Sequence, residues 1–501
     1  MMDPILITFI IYIAGMLFIG YYYYRKNENI ADYFLGGRNL NPYVTALSAQ
    51  ASDMSGWLLM GLPGAVFAGG FNAMWIGIGL AIGTYLNWQF TATRLRRYTE
   101  VVEAITIADY LENRFKDKSR VLRIISALVI LTFFTIYVSS GLVAGGVLFE
   151  NVLGLDYQLA IYLAVAVVGL YTFLGGFLAV SWTDFLQGSL MVTALVVAPL
   201  YIIINSGGFS GLWNQLGYIN PDLLHAGKIV EYDAAREIFW ESAPENMSFV
   251  SLISLLGWGL GYFGMPHILV RFMGIKKAKR LPISQFVGVT WVVVSLIGAV
   301  FVGISGIIAV QEPLSNPETV FIVMLQRIFN PWIAGVFLAA ILAAIMSTID
   351  SQLLVSSSAL AEDFYKGFIK PDAGETELLW FGRIAVIIIT IIALILALSG
   401  GSILDIVSYA WAGLGAAFGP TILFSLFWKK TSKNAAIAGI VTGGVVVVIW
   451  KNFLAFTGLY EIIPAFFLSA LVIYLISYFG DDPDPEVVKE FETAIKPLEN
   501  E

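Results

Sequence analysis

The chain contains about thirteen apolar stretches, each close to the length that crosses a lipid bilayer. A bilayer core of about 30 Å is spanned by about 20 apolar residues in a helix. Backbone groups in lipid have to be paired within the protein, so these stretches are predicted to be helices. The sequence therefore predicts an all-α integral membrane protein. The predicted spans are 4–24, 42–67, 72–92, 122–150, 157–177, 180–206, 247–270, 284–311, 328–360, 379–399, 402–428, 434–454 and 459–479.

The composition excludes several classes of protein. Charged residues make up 13% of the chain, whereas a soluble domain carries about 25%. The net charge of −8 argues against a nucleic-acid partner. The chain has no cysteine and only two histidines, His225 and His267, so it lacks the usual groups for thiolate metal sites and nucleophilic catalysis. We expect a protein that is not an enzyme and has no organic cofactor.

The basic residues indicate how the spans are oriented. If the spans alternate, 24 of the 28 lysines and arginines fall on one side, and only Lys228, Arg236, Arg327 and Lys451 fall on the other. Basic residues accumulate in cytoplasmic loops. The amino terminus is therefore predicted outside and the carboxyl terminus inside. We expect a single transmembrane domain, 1–479, followed by a polar cytoplasmic tail, 480–501.

Two of the predicted spans are interrupted. The second contains the polar, glycine-bearing string Ser48-Ala-Gln-Ala-Ser-Asp-Met-Ser-Gly-Trp57, and the seventh contains Leu256-Gly-Trp-Gly-Leu-Gly-Tyr-Phe-Gly-Met-Pro266. Interrupted helices at matching positions of two halves are typical of a carrier's substrate site. Spans 2–6 and 7–11 would form these halves, over about 42–206 and 247–428, as an inverted repeat. The alternative is that the glycines only allow helices to pack closely.

Three carboxylates lie within or at the ends of spans, namely Asp53, Asp184 and Asp350, and none has a basic residue nearby in sequence. A charge in the bilayer interior is costly, so a bound cation is the expected partner. The oxygen-rich surroundings, without soft ligands, suit sodium. Asp350 could equally be a solvated residue at the end of its span.

The ninth span offers a candidate ion site. Ala344, Ser347, Thr348 and Ser351 are spaced so that they share one helix face. Their hydroxyls, with carbonyl oxygens from the interrupted second span, could hold sodium. The hydroxyls could instead bond carbonyls of their own helix, and the spacing leaves both interpretations open. The aromatic residues placed to reach a central cavity are Trp57, Tyr137, Trp258 and Tyr262. For His267, packing is favoured over proton coupling.

Several strings resemble the sodium/solute symporter family, most closely its bacterial proline carriers. The resemblance covers nearly the whole chain. The strings are Asp32-Tyr-Phe-Leu-Gly-Gly-Arg38, residues 45–64 around Asp53, Phe177-Leu-Ala-Val-Ser-Trp-Thr-Asp184, Gly257-Trp-Gly-Leu-Gly-Tyr-Phe-Gly264 with Pro266-His-Ile-Leu269, Ile341-Leu-Ala-Ala-Ile-Met-Ser-Thr348, and residues 408–420.

The resemblance implies a leucine-transporter-like core of two inverted five-helix repeats, with spans 2 and 7 broken. It implies sodium-driven uptake of L-proline by alternating access across a bacterial-type cell (inner) membrane. The alternative is sodium symport of another small organic solute, such as pantothenate or a monocarboxylate. A sensor built on the same helices is disfavoured, because only about twenty polar residues follow the last predicted span.

The resemblance also implies roles for particular residues. Sodium would be held by the carbonyl oxygens of Ala51, Met54 and Ala344 and the hydroxyls of Ser347 and Thr348, with Asp53 and Ser55 in support. Proline would contact Trp57, Tyr137, Trp258, Tyr262 and Pro266. Arg38 and Asp184 would shape the inner ion pathway. Some relatives place a second sodium between an aspartate like Asp184 and hydroxyls like those of Ser347 and Ser351. Two positions depart from the family's proline carriers, Met265, where they have Gln, and Asp350, where they have a small residue.

Overall fold

A computed structural model describes residues 3–24, 30–174, 176–480 and 482–495, most of them helical. The first helices are α1 Pro4–Tyr24, α2 Ile30–Leu35, α3 Pro42–Ala51, α4 Leu62–Gly69, α5 Met74–Leu86, α6 Thr93–Val101, α7 Ile107–Arg114, α8 Val121–Leu153, α9 Tyr157–Leu174, α10 Phe177–Asn205 and α11 Gly208–Ile219. They are followed by α12 Phe249–Leu256, α13 Pro266–Gly274, α14 Leu281–Val310, α15 Val320–Ile328, α16 Pro331–Ser358, α17 Glu375–Ala397, α18 Ile403–Phe427, α19 Lys433–Phe453, α20 Ile462–Phe479 and α21 Pro485–Ile495. The predicted cytoplasmic cations Arg25, Lys26 and Lys496 lie outside the described residues.

The described residues contain ten helices long and apolar enough to cross a membrane, or eleven if the pair around Met265, bent by 45°, counts as one span. One of the ten stretches, Trp57–Val101, has 45 residues. A continuous helix of that length would be about 68 Å long, more than twice the bilayer core. Gly70, with φ 73°, interrupts this stretch. The exact number of thirteen spans stays a prediction.

The central helix of the fold is α16. Asn330 starts it by accepting hydrogen bonds from the amides of Trp332 and Ile333, and Pro331 occupies the first turn, where its missing N–H costs nothing. Every side chain from Phe337 to Ser358 is buried. Helices α1, α8, α10 and α17 pack around it. This position brings the hydroxyls of α16 to the centre of the protein.

Both predicted interruptions are present. Helix α3 ends at Ala51, and helical structure resumes at Trp57 as a single π-turn. In the other interrupted span, Gly257–Gly264 forms a 3₁₀ helix between α12 and α13. Close packing occurs in the same place, since a Cβ atom on Gly83 of α5 would lie 2.2 Å from the carbonyl oxygen of Gly259. The glycines of the seventh span therefore accompany an interruption and also allow close packing.

The contact between Gly83 and Gly259 leads to a first prediction. We expect Gly83→Ala to lower the thermal unfolding temperature and the yield of folded protein, because the added methyl group overlaps the facing backbone. Gly77→Ala, on the same helix, is the control, since its nearest neighbouring atom would lie 3.7 Å away. Fluorescence-detected size-exclusion chromatography after heating compares the two. Equal stability of the two variants would contradict the close approach.

The segment 207–246, between two of the predicted spans, contains regular structure. It holds α11 and an antiparallel hairpin of β1 Lys228–Asp233 and β2 Ile238–Asn246, with Val230 opposite Ser242. The indole of Trp240 donates to the carbonyl oxygen of Phe67 at 2.7 Å, so the hairpin is fixed to the end of α4. The chain is therefore not purely helical, and this segment covers the transmembrane helices on that face.

The segment predicted as a polar tail also contains a docked helix. Val487, Phe491 and Ala494 of α21 are buried, and α21 packs on α6. The Nζ of Lys116 lies 2.6 Å from Glu490, and this partner raises the pKa of Lys116 despite its partial burial. The described part of 480–501 is thus attached to the helices that precede α8.

Candidate ion and substrate site

Four oxygen atoms meet where α3 is interrupted. The hydroxyl of Ser347 donates to the carbonyl oxygen of Ala51 at 2.7 Å and lies 3.1 Å from the carbonyl oxygen of Ala344. The hydroxyl of Thr348 lies 3.4 Å from the same Ala51 oxygen. The carbonyls at the end of a helix lack partners within the helix, so Ala51 is free to face α16. Ser347 therefore contacts a carbonyl oxygen of its own helix and a carbonyl oxygen of the interrupted span.

The interrupted segment is held by local hydrogen bonds. The amide of Met54 donates to the carbonyl oxygen of Gln50 at 2.9 Å, and the amide of Trp57 donates to the hydroxyl of Ser55 at 3.3 Å. The side chains of Met54 and Ser55 are buried. Ser55 thus supports the restart of the helix. A ligand role for the carbonyl oxygen of Met54 stays a prediction.

Asp53 connects the interruption to the aromatic residues. Its carboxylate accepts a hydrogen bond from the hydroxyl of Tyr262 at 2.7 Å. Its backbone oxygen accepts from the indole of Trp57 at 3.0 Å and from the hydroxyl of Tyr137 at 3.2 Å. Within the described part of the chain, the other carboxylate oxygen, Oδ1, has no hydrogen-bond partner. One residue of the interruption therefore positions three of the four predicted substrate aromatics.

The aromatic residues form one contiguous group. The rings of Trp57 and Trp258 have centroids 6.4 Å apart, and the ring of Tyr262 meets Trp411 edge-on at 5.1 Å. The indole of Trp411 donates to the carbonyl oxygen of Trp258 at 2.8 Å, and Tyr460 packs against the Trp258 ring. Trp411 and Tyr460 were missed as site residues. The only signal was that Trp411 lies in the string 408–420, which carries the resemblance.

Pro266 is the first residue of α13, and Met265 before it occupies the N-cap position of this helix. Both side chains are buried. The neighbouring His267 packs edge-on against Phe134 at 5.3 Å and Tyr137 at 6.3 Å. Its two ring nitrogens have no hydrogen-bond partner among the described residues. These contacts agree with the packing role favoured for His267. They also attach α13 to the residues around Asp53.

Asp184 was expected to pair with a bound cation, but its partner in the structure is an arginine that is distant in sequence. Its carboxylate accepts a hydrogen bond from Ser48 at 2.7 Å and lies 3.4 Å from the guanidinium of Arg271. Both side chains are fully buried. Arg271 falls just beyond the predicted span 247–270, but it belongs to α13. The one signal in the sequence was that Arg271 lies within an apolar run, four residues after His267. A helix that continued through this run would place Arg271 towards the protein interior.

Asp350 is fully buried within α16, so the interpretation as a solvated end residue is wrong. Its carboxylate accepts a hydrogen bond from the hydroxyl of Thr172 at 2.5 Å. Asp350 shares this full burial with Asp184. Both are closed off by packing in this structure, and each has its own polar partner.

Arg38 holds together segments at one end of the helices. It donates to the carbonyl oxygens of Ala104 at 2.8 Å, Thr99 at 2.9 Å and Met273 at 3.0 Å. Burial, and then the nearby Arg96, lower the pKa of Arg38 to about 10, so it remains cationic at neutral pH. Because these contacts are with backbone groups, a role of Arg38 in the ion pathway stays a prediction.

Comparison with protein families and known proteins gives one consistent result. The model of the sodium:solute symporter family matches residues 33–443. The sodium/proline symporter of Escherichia coli (strain K12) is 48% identical over 503 residues, which are 98% of this chain and 96% of that protein. The high-affinity proline transporter PutP of Bacillus subtilis (strain 168) is 47% identical over 481 residues, which are 95% of this chain and 98% of that protein.

Solved structures share the fold at low sequence identity. A Na⁺-coupled sialic acid symporter in a substrate-bound outward-open state has a TM-score of 0.78 at 19% identity, covering 96% of this chain and 99% of its own. The nucleobase-cation-symport-1 transporter Mhp1, in a closed conformation, has a TM-score of 0.54 at 13% identity, covering 94% and 99%. The predicted leucine-transporter-like fold is confirmed.

Proposed function

Since this chain belongs to the sodium:solute symporter family, we propose that it carries L-proline into the cell together with sodium, by alternating access across a bacterial-type inner membrane. It is a multi-pass membrane transporter and not an enzyme. The names of the relatives that are 45–48% identical over nearly the whole chain support proline over pantothenate or a monocarboxylate as the solute. The observation that carries the proposal is the oxygen cluster at the interruption of α3.

Sodium would bind at this cluster. The proposed ligands are the carbonyl oxygens of Ala51, Met54 and Ala344 and the hydroxyls of Ser347 and Thr348. All five are hard oxygen donors, and none carries a formal charge, which suits a monovalent ion better than a divalent ion, whose sites usually include carboxylates. The hydrogen bonds of Ser347 to Ala51 and Ala344 would be exchanged for contacts with the ion.

Proline would bind among Trp57, Tyr137, Trp258, Tyr262 and Pro266. The compact apolar ring suits aromatic faces, and the secondary ammonium group is attracted to the faces of tryptophan and tyrosine rings. Backbone amides exposed at a broken helix suit the carboxylate group. The unpartnered oxygen of Asp53 is a further candidate contact for the ammonium group.

Coupling would follow from the short distance along the chain between the two sites. Ala51 faces the ion, Asp53 holds Tyr137 and Tyr262, and Trp57 restarts the helix. An ion bound to Ala51 would order this segment and so fix the aromatic residues before proline arrives. Binding of the ion would then supply the free energy that orders this segment. Proline would therefore bind more tightly once sodium is bound, and the reverse.

The orientation is also part of the proposal. The end of the molecule that contains Arg38, Arg94, Arg96, Arg114 and Arg123 would face the cytoplasm, since basic residues accumulate on that side. The amino terminus would lie outside, and the docked helix α21 would lie inside. Alternating access would then open the site first towards the hairpin face and afterwards towards α21.

Uptake of radiolabelled proline into proteoliposomes tests the proposal. We expect rapid accumulation with an inward sodium gradient and almost none when potassium replaces sodium, because the gradient supplies the energy. An excess of unlabelled pantothenate or acetate should leave the uptake unchanged, whereas unlabelled proline should abolish it. Uptake that is independent of sodium, or inhibition by pantothenate alone, would contradict the assignment.

A further inference from the structure

The guanidinium of Arg271 is fully buried among four helices, α3, α10, α13 and α16. It donates to the hydroxyl of Ser351 at 2.5 Å and to the hydroxyl of Ser48 at 3.2 Å, and it lies 3.4 Å from the carboxylate of Asp184. It also donates to the carbonyl oxygen of His267 at 2.9 Å within its own helix. A permanent positive charge therefore occupies a ring of one carboxylate and two hydroxyls.

This ring lies next to the proposed ion site. Ser48 precedes Ala51 by three residues on α3, and Ser351 follows Ser347 by four residues on α16. Arg271 thus bridges the same two helices as the ion site, displaced by about one turn, or about 5 Å. A carboxylate with two hydroxyls is a set of hard donors that attracts small cations. The guanidinium holds the place where a passing sodium ion would otherwise bind.

The far side of Arg271 leads towards the basic end of the molecule. The ring of Phe177 covers the guanidinium, with its centroid 5.2 Å from the Cζ atom. A small cavity on this side of the ring is lined by Phe177, Val270, Val355 and Asp363. An ion that left Ser347 along the facing surfaces of α3 and α16 would meet Arg271 first, then Phe177, and then this cavity.

We propose that Arg271 is a tethered cation that closes the inner exit of the ion site. While the guanidinium contacts Asp184, Ser48 and Ser351, its positive charge repels a sodium ion at Ala51 from this exit. The oxygen atoms that the guanidinium contacts are then not free to bind the ion. Movement of α13 would withdraw the guanidinium and free the exit. Arg271 is a positioning residue in this proposal and never a sodium ligand. The inference rests on the proposed sodium coupling.

Sodium leakage in the absence of proline tests the gate separately from proline transport. Efflux of sodium-22 from proline-free proteoliposomes should rise about fivefold or more in Arg271→Gln, the lower end of the usual range for coupling between sites. Arg271→Lys keeps a tethered charge and should remain near the wild-type rate. Arg94→Gln is the matched control, since Arg94 donates to the carbonyl oxygen of Leu426 away from the ion site.

The double variant Arg271→Gln, Asp184→Asn guards against misfolding, because it removes both members of the buried ion pair and leaves no unpaired charge. It should leak as Arg271→Gln does. The gate would be overturned if Arg271→Gln and the double variant both leaked sodium at the wild-type rate. It would also be overturned if Arg94→Gln leaked as fast as Arg271→Gln. Sodium-dependent proline uptake by the wild type, measured in parallel, tests the proposed function itself. The gate can therefore fail while that function stands.

Discussion

Replacing Ser347 and Thr348 together with alanine is expected to raise the sodium concentration that half-saturates proline uptake by about tenfold or more. Both hydroxyls face the carbonyl oxygen of Ala51, and no other side-chain oxygen is proposed as a sodium ligand. At saturating sodium, the half-saturating proline concentration should stay close to that of the wild type. Initial uptake rates over a grid of sodium and proline concentrations separate the two effects.

The matched control for this variant is Ser356→Ala, Ser357→Ala on the same helix. Ser357 bonds the Leu354 carbonyl within α16, and the hydroxyl of Ser356 has no partner among the described residues, so neither is hydrogen-bonded to α3. This control should keep the wild-type sodium requirement. An unchanged sodium requirement in the Ser347, Thr348 variant would move the ion site away from α16.

The second large effect is expected at Asp53. Asp53→Ala leaves the buried hydroxyl of Tyr262 without its acceptor, and an unpaired buried polar group costs about 1–3 kcal/mol. Without this anchor the Tyr262 ring is no longer held in place for proline, so the half-saturating proline concentration at saturating sodium should rise by about tenfold or more. Tyr262→Phe should be affected in the same direction, because the aromatic ring loses its anchor. Proline uptake kinetics at saturating sodium measure both.

The two changes should not add, since they break one hydrogen bond. The double variant Asp53→Ala, Tyr262→Phe should be affected less than the sum of the single variants predicts. Tyr110→Phe is the control, because its buried hydroxyl bonds Ser425 at 2.9 Å, outside the proposed site. Strict additivity, or an equal effect in Tyr110→Phe, would contradict a positioning role for Asp53.

The interruptions and the hydroxyl face of α16 could be predicted from sequence because their signals are local. The glycines and the polar run around Asp53 stand out within an apolar span, and Ser347 and Thr348 lie at helical spacing from Ala344. The four aromatic residues were singled out by their placement in the spans, and the resemblance to a family then implied that they contact proline. These signals need no knowledge of which helices touch.

The contacts that were missed are all between distant parts of the chain. Asp184 and Arg271 are 87 residues apart, and Asp53 and Tyr262 are 209 residues apart. Sequence spacing within one helix carries no information about such pairs, so Asp184 was expected to need a bound cation. The position of Arg271 in α13 was obscured because arginine is typical of the loop that follows a span.

The docked segments were missed for a different reason. The hairpin and α21 have polar surfaces, and they contribute few apolar contacts, such as those of the half-buried Trp240 and the buried Phe491. Their positions depend on contacts with distant parts of the chain, including the bond from Trp240 to Phe67. A polar segment with a few apolar residues is equally compatible with a solvated loop, so only the structure distinguishes the two.

Mutual strengthening of sodium and proline binding is the most direct consequence of a shared segment from Ala51 to Trp57. Equilibrium binding of radiolabelled proline to the purified protein, with and without sodium, gives one factor, and sodium binding with and without proline gives the other. The two factors should be equal, and each should be about tenfold or more. Proline affinity that stays the same when potassium replaces sodium would contradict coupling through this interruption.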